Sequence, residues 1–215
     1  MVQLKQRARL WSNIAIAVGT ALATCQIMFG WGSEGGLLLS SGIGAFKYFT
    51  VLSNIFSGIV AAIFAVRLDR GREIGPGLMT LKLAATTSVG LTFLTVVVFL
   101  APMYGWLAMY IGANLWLHLL LPLMAMVGFC LVETGGLLPR ATLLATIPMI
   151  LYGAGYYANI VINGVGEPPH VNDFYGFAQW GMDRTPIVFV VIAVITWGIA
   201  LVHVLLRCKI QARRA

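Results

Sequence analysis

One threonine and one histidine stand in apolar surroundings where a polar side chain needs a reason to be. His118 lies inside NLWLHLLLP, and an ionisable group placed within hydrocarbon costs free energy that is usually repaid by function. Thr50 lies in FKYFTVLSN, residues 46 to 54, near the start of a second apolar run. A threonine hydroxyl is a poor nucleophile at its own pKa. A neutral imidazole within hydrogen-bond reach can take its proton and hand it on to a leaving group. The two residue types therefore fit acyl transfer. Hydrolysis also needs donors for the developing oxyanion, and Asn54, Tyr156, Asn159 or backbone amides near the start of the second run can supply them. Asn114, four residues before His118, can orient the imidazole or join the substrate side. Thr50 alone carries no such message, because threonines in spanning helices commonly bond back to their own backbone.

Positioning these groups is the task of a chain that is 60% hydrophobic and 10% charged, with a mean hydropathy of +0.90. Six apolar stretches approach the roughly 20 residues that a spanning helix requires. They run over Trp11 to Trp31, Phe46 to Val66, Thr80 to Ala101, Gly112 to Val132, Ala141 to Ile162 and Thr185 to Leu206. The expectation is an all-α membrane protein, a single bundle of six transmembrane helices occupying residues 1–215 as one domain. With the N-terminus inside, the cytoplasmic segments hold Lys5, Arg7, Arg9, Arg67, Arg70, Arg72, Lys82, Arg140, Arg207, Lys209, Arg213 and Arg214, leaving Lys47 and Arg184 outside. The positive-inside rule then places both termini in the cytoplasm. The net charge of +7 is explained by anionic lipid headgroups rather than by a nucleic-acid partner. A bacterial inner (plasma) membrane is the expected location. LATC at residues 22 to 25 resembles a lipoprotein cleavage box with an unusual Thr before the Cys, and the first span reads as a retained signal anchor. Cys25, Cys130 and Cys208 fall at different depths and give no disulfide pattern.

Polar residues recurring at three and four positions mark faces turned toward the bundle interior. Asn13, Thr20 and Thr24 do so in the first span, Thr50, Asn54 and Ser57 in the second, Asn114 and His118 in the fourth, and Tyr152, Tyr156, Asn159 and Asn163 in the fifth. Thr50 and His118 both fall a few residues inside the outer end of their spans, so their depths differ by only about 3 Å at the helical rise. Thr24, Tyr156 and Asn159 belong to the same outer layer. Pro122 cannot donate to the carbonyl of His118, so a kink is expected there. Tyr104 to Ile111 reads as a surface segment, interrupted by Gly105 after Pro102. The stretch from Asn163 to Arg184 exceeds the usual helix connection and could cap a cavity. Acids lie at span ends and in loops, which argues against an ion-coupled transporter. His203 reads as interfacial. Three scattered histidines lack ligand spacing, so neither a metal nor another cofactor is expected.

At KYFTVLSN and HLLLP the chain resembles the androgen-induced six-span membrane proteins and their bacterial relatives. In that family an intramembrane Thr and His hydrolyse fatty acid esters of hydroxy fatty acids. The resemblance implies Thr50 as nucleophile, His118 as base and a six-span architecture over nearly the whole chain. Apart from that likeness, Phe46, Phe49 and Trp116 would border a cavity open sideways to the bilayer, which suits a lipid ester as partner. The alternative is a small transporter or ligand-binding membrane protein whose polar layer does no chemistry.

Overall fold

A backbone in hydrocarbon must satisfy its own hydrogen bonds, so apolar runs of this length can be stable only as helices. The structure is a computed structural model that describes residues 2–30, 42–168 and 170–213. Its described residues are helical or irregular, with no strand. Six helices are long and apolar enough to cross a membrane: α1 (Val2–Phe29), α2 (Phe49–Asp69), α3 (Pro76–Tyr104), α4 (Ala113–Leu131), α5 (Ala141–Asn163) and α6 (Thr185–Ala212). The six expected spans fall on these helices, with ends that differ by a few residues; Trp31, the expected end of the first, lies outside the described residues. The protein is an integral membrane protein by this measure.

Helix α1 packs along α2, α2 along α3, and α3 against both α4 and α6, while α5 closes on α6 and α3. α3 is the central helix: 61% of its apolar window is buried, against 17% for α6. That position explains a composition no stripe captured. Thr80, Lys82, Thr86, Thr87, Ser88 and Thr92 are all buried and lie around the whole circumference of α3, as suits a helix enclosed on every side. An apolar cluster of Phe64, Met79, Leu83 and Phe129 fills the half of the bundle nearest the chain termini. Ile27, Val51, Leu117 and Leu121 fill the other half.

Close helix contact depends on residues without side chains. A Cβ placed on Gly58 of α2 would stand 2.6 Å from Thr20 Cγ2 of α1. Gly58→Val is therefore expected to force the two helices apart at a cost of about 1–3 kcal/mol. The check is the thermal unfolding midpoint in detergent, which should fall by several degrees; an unchanged midpoint would mean the α1–α2 contact is looser than described.

Two helices widen by a π turn, over Val96–Leu100 in α3 and Trp116–Leu120 in α4. Each turn ends two residues before a proline, Pro102 or Pro122. Proline removes the donor that would reach four residues back. The residue before it compensates by reaching five: Ala101 N–H bonds Val96 O and Leu121 N–H bonds Trp116 O. The kink expected at Pro122 is thus accommodated as a local widening that holds His118 at its centre.

Both termini lie at one end of the bundle, where Arg9 of α1 and Arg207 and Gln211 of α6 meet Glu133 just beyond α4. Lys82 corrects the sequence reading. Assigned there to a cytoplasmic segment, it sits inside α3 and is 2% exposed, donating to Asn13 Oδ1 at 2.6 Å. Asn13 Nδ2 in turn donates to Glu133 Oε1 at 2.6 Å. Burial makes such a chain favourable only when every charge finds a partner, and these residues lie on three different elements. His203 is also corrected: it is buried, with its ring against Phe129, rather than interfacial.

Candidate functional site

The site is assembled at the end of the bundle opposite the termini. His118 is 8% exposed, and its Nδ1 lies 3.1 Å from the backbone carbonyl of Met109. A carbonyl can only accept, so Nδ1 carries the proton in this bond and Nε2 of the neutral ring keeps its lone pair. Met109 comes from the segment between α3 and α4, which the sequence placed on the surface. Residues 105–112 do leave the helix, through Gly105 at φ 94° and Gly112 at φ 60°. Between these two turns the chain dips inward far enough to bury Met109. The carbonyl of Met109, rather than Asn114, thus orients the imidazole. Sequence reasoning could not find a backbone group, although the two glycines flanking the segment signal a chain that turns sharply twice. Asn114 is buried on the same helix one turn earlier.

Thr50 sits in the first turn of α2 and is half-buried. Its neighbour one turn on, Asn54, is fully buried and donates from Nδ2 both to Thr50 O at 2.7 Å and to Leu117 O at 3.0 Å. That amide staples the Thr50 turn of α2 to the His118 turn of α4. Both of its hydrogens are spent on carbonyls, so Asn54 positions the helices and is not free to donate to an oxyanion. Ser53, bonded to Thr50 O at 3.1 Å and to Thr92 at 3.0 Å, ties the same turn to α3. Thr50 and His118 are not hydrogen-bonded to each other. In the first turn of α2 the Phe49 N–H is taken by Tyr175 Oη and the Val51 and Leu52 N–H groups by Tyr48 O, which leaves the Thr50 N–H at the positive end of the helix dipole without an acceptor among the described residues.

The other two candidate donors lie on α5 and engage the connection between α5 and α6. Tyr156 is buried and donates to Asp173 Oδ1 at 2.6 Å while accepting the Tyr175 N–H at 3.0 Å. Asn159 donates to Asn172 Oδ1 at 3.4 Å. Asp173 also accepts from Phe177 N at 2.9 Å and Ala178 N at 2.8 Å. Thus Tyr156 and Asn159 hold the long loop in place rather than facing an empty acceptor. Thr24 bonds back to Thr20 O at 2.8 Å, within its own helix.

That loop covers the end of α2. Tyr175 Oη accepts the Phe49 N–H at 3.0 Å, capping the helix one residue before Thr50, and burial holds its phenol above the ordinary tyrosine range. Phe174 meets the Tyr48 ring edge-on at 5.1 Å and lies under the Lys47 ammonium at 4.8 Å. Tyr152 donates to Lys47 O at 2.7 Å and packs on Phe49 at 5.1 Å. Sequence length marked this loop as a possible cover. The aromatic residues that hold it over Thr50, above all Tyr175, carried no signal of their own, because Phe and Tyr also suit a membrane interface. Among the described residues no three His, Cys, Asp or Glu side chains gather as metal ligands would.

Comparison with known proteins finds no matching family model, no matching curated protein and no matching solved structure.

Proposed function

We propose that this protein is an intramembrane hydrolase of lipid esters, with Thr50 as nucleophile and His118 as base. The observation that carries the reading is the hydrogen bond between Nδ1 of the buried His118 and Met109 O: with the proton on Nδ1, a neutral ring keeps its lone pair on Nε2, which is what a general base needs. A second support is the Asn54 bridge, which holds the Thr50 turn against the backbone next to His118. The likeness of KYFTVLSN and HLLLP to the six-span hydrolases of fatty acid esters of hydroxy fatty acids points the same way and suggests that substrate class.

In this mechanism Thr50 Oγ1 attacks the ester carbonyl carbon as its proton passes to His118 Nε2. The carbon–oxygen bond to the alcohol breaks, and the alcohol leaves with the proton from Nε2. Water, deprotonated by the same nitrogen, then attacks the acyl-threonine carbonyl; the bond to Thr50 Oγ1 breaks, the fatty acid is released and Nε2 returns its proton to Oγ1. The Thr50 hydroxyl closes on Nε2 in the substrate complex, as catalytic hydrogen bonds commonly do. With the side chains of Asn54 and Tyr156 already engaged, and the N–H groups of Phe49, Val51 and Leu52 likewise, the oxyanion falls to the backbone N–H of Thr50 itself. The prevalence of Lys and Arg near the termini end supports cytoplasmic termini, and with them a site in the outer leaflet of a bacterial inner membrane.

The same engagement of Asn54 and Tyr156 favours one rival, a ligand-binding or transport protein without chemistry. A fluorophosphonate probe separates the two. The wild type is expected to label covalently and Thr50→Ala to lose the label, with Thr50→Ser keeping it; equal labelling of wild type and Thr50→Ala would remove Thr50 from any such chemistry.

A further inference from the structure

The end of the bundle that carries the termini holds a second polar centre, remote from Thr50 and His118. Its wall is the buried network already described. The Glu133 carboxylate is 2% exposed and pairs with Arg9 at 3.1 Å and with Asn13. Lys82 reaches it through Asn13, and Arg207, 3% exposed, lies over the Phe129 ring and donates to Glu133 O at 3.3 Å. One carboxylate thus serves a network with two guanidiniums and an ammonium, of which Arg9 alone touches it directly. The guanidiniums alone outnumber it, and they do not deprotonate. Carbonyls beyond the C-terminus of α4 offset part of the excess, since Arg207 also donates to Gly135 O and Arg9 to Thr134 O. A surplus of buried positive charge remains, and a low-dielectric wall projects it outward.

In front of this wall opens a pocket of about 480 Å³ between α1, the α2–α3 turn and the α4–α5 turn. Arg9, Arg72 and Gln6 line it, with Glu73 as its acid and Leu68 and Ile74 as apolar sides. The Arg72 side chain has no ion pair among the described residues. Counting wall and lining together, four cations face two carboxylates.

We propose that this pocket binds the phosphate of an anionic phospholipid, held by Arg72 and Arg9, in the leaflet that meets the termini end. Basic pockets between spanning helices are suited to acidic headgroups. Position favours a lipid over a soluble anion: the pocket lies where α2 ends at Asp69 and α3 begins at Pro76, the ends of spanning helices are where headgroups stand, and Leu68 and Ile74 give the glycerol and acyl portions an apolar side. This proposal goes beyond the hydrolase reading and does not depend on it.

The test uses the full chain reconstituted in phosphatidylcholine vesicles containing a minority of phosphatidylglycerol, followed by mass spectrometry of the lipids retained on extraction. The wild type is expected to retain phosphatidylglycerol in preference to phosphatidylcholine. Arg72→Gln, exposed and therefore harmless to folding, should lower that preference about fivefold, the worth of one interfacial cation. Arg70→Gln, on the same turn but outside the pocket lining, should leave it unchanged. No preference in the wild type, or equal losses in the two variants, would overturn the pocket in favour of general surface attraction. Displacement of the retained lipid by inorganic phosphate would also overturn it and assign the site to a soluble anion.

Discussion

His118→Gln is expected to lower the turnover of a fluorogenic fatty-acyl ester by a factor of about 10²–10⁴, the usual contribution of a positioned general base. Glutamine is the informative substitution because its amide can still donate to Met109 O, so the bond that His118 makes at 3.1 Å has a replacement. What disappears is the lone pair on Nε2. The loss should fall on kcat, with KM little changed, since the base acts on a proton in flight and does not hold the acyl chain. An effect on KM alone would mean that His118 lines a binding site without taking part in chemistry. Because α4 widens at Trp116–Leu120 through Pro122 rather than through the imidazole, the helix should keep its shape in the variant, and unfolding in detergent should stay close to that of the wild type.

The largest effect on stability is expected from Glu133→Gln. Removing this carboxylate leaves Arg9 without its ion-pair partner and Lys82 and Arg207 in a network that has lost its acid, and breaking a buried ionic arrangement by deleting one partner costs about 3–5 kcal/mol. Lys82→Met should cost distinctly less, because it removes one of three cations that share one acid and leaves an apolar chain beside Phe64, over whose ring the ammonium sits at 5.2 Å. Thermal unfolding of both variants in the same detergent gives the comparison. The charge count fails if Lys82→Met destabilises as much as Glu133→Gln, and the network is dispensable if neither variant unfolds earlier than the wild type.

These two expectations differ in how far the sequence foreshadowed them. Thr50 and His118 stood out because a hydroxyl and an imidazole are conspicuous in FKYFTVLSN and NLWLHLLLP. Glu133 and Lys82 did not. Each lies near the end of an apolar run, where a charge is ordinary, and nothing local distinguishes a lysine facing water from one facing Asn13. No stripe marks α3, because its buried threonines surround the helix instead of following one face. Lys82 is an intramembrane cation, so intramembrane charge is less sparse than the sequence suggests and speaks less strongly against an ion-coupled transporter. The acids, Glu133 just past α4 and Asp173 in the α5–α6 connection, do lie outside the helices.

Local composition by itself determined the helical class, the six spans and the places where the helices had to be interrupted. Hydropathy, proline and glycine act on the chain within a few residues and need no partner. Only the tertiary structure decided that Met109 offers its carbonyl to His118, that Asn54 joins two helices instead of serving an oxyanion, and that Arg9 meets Glu133. Those choices depend on which groups are brought within about 3 Å, the range over which a hydrogen bond has any strength. Residues separated by as many as 126 positions reach that range only after the helices have packed.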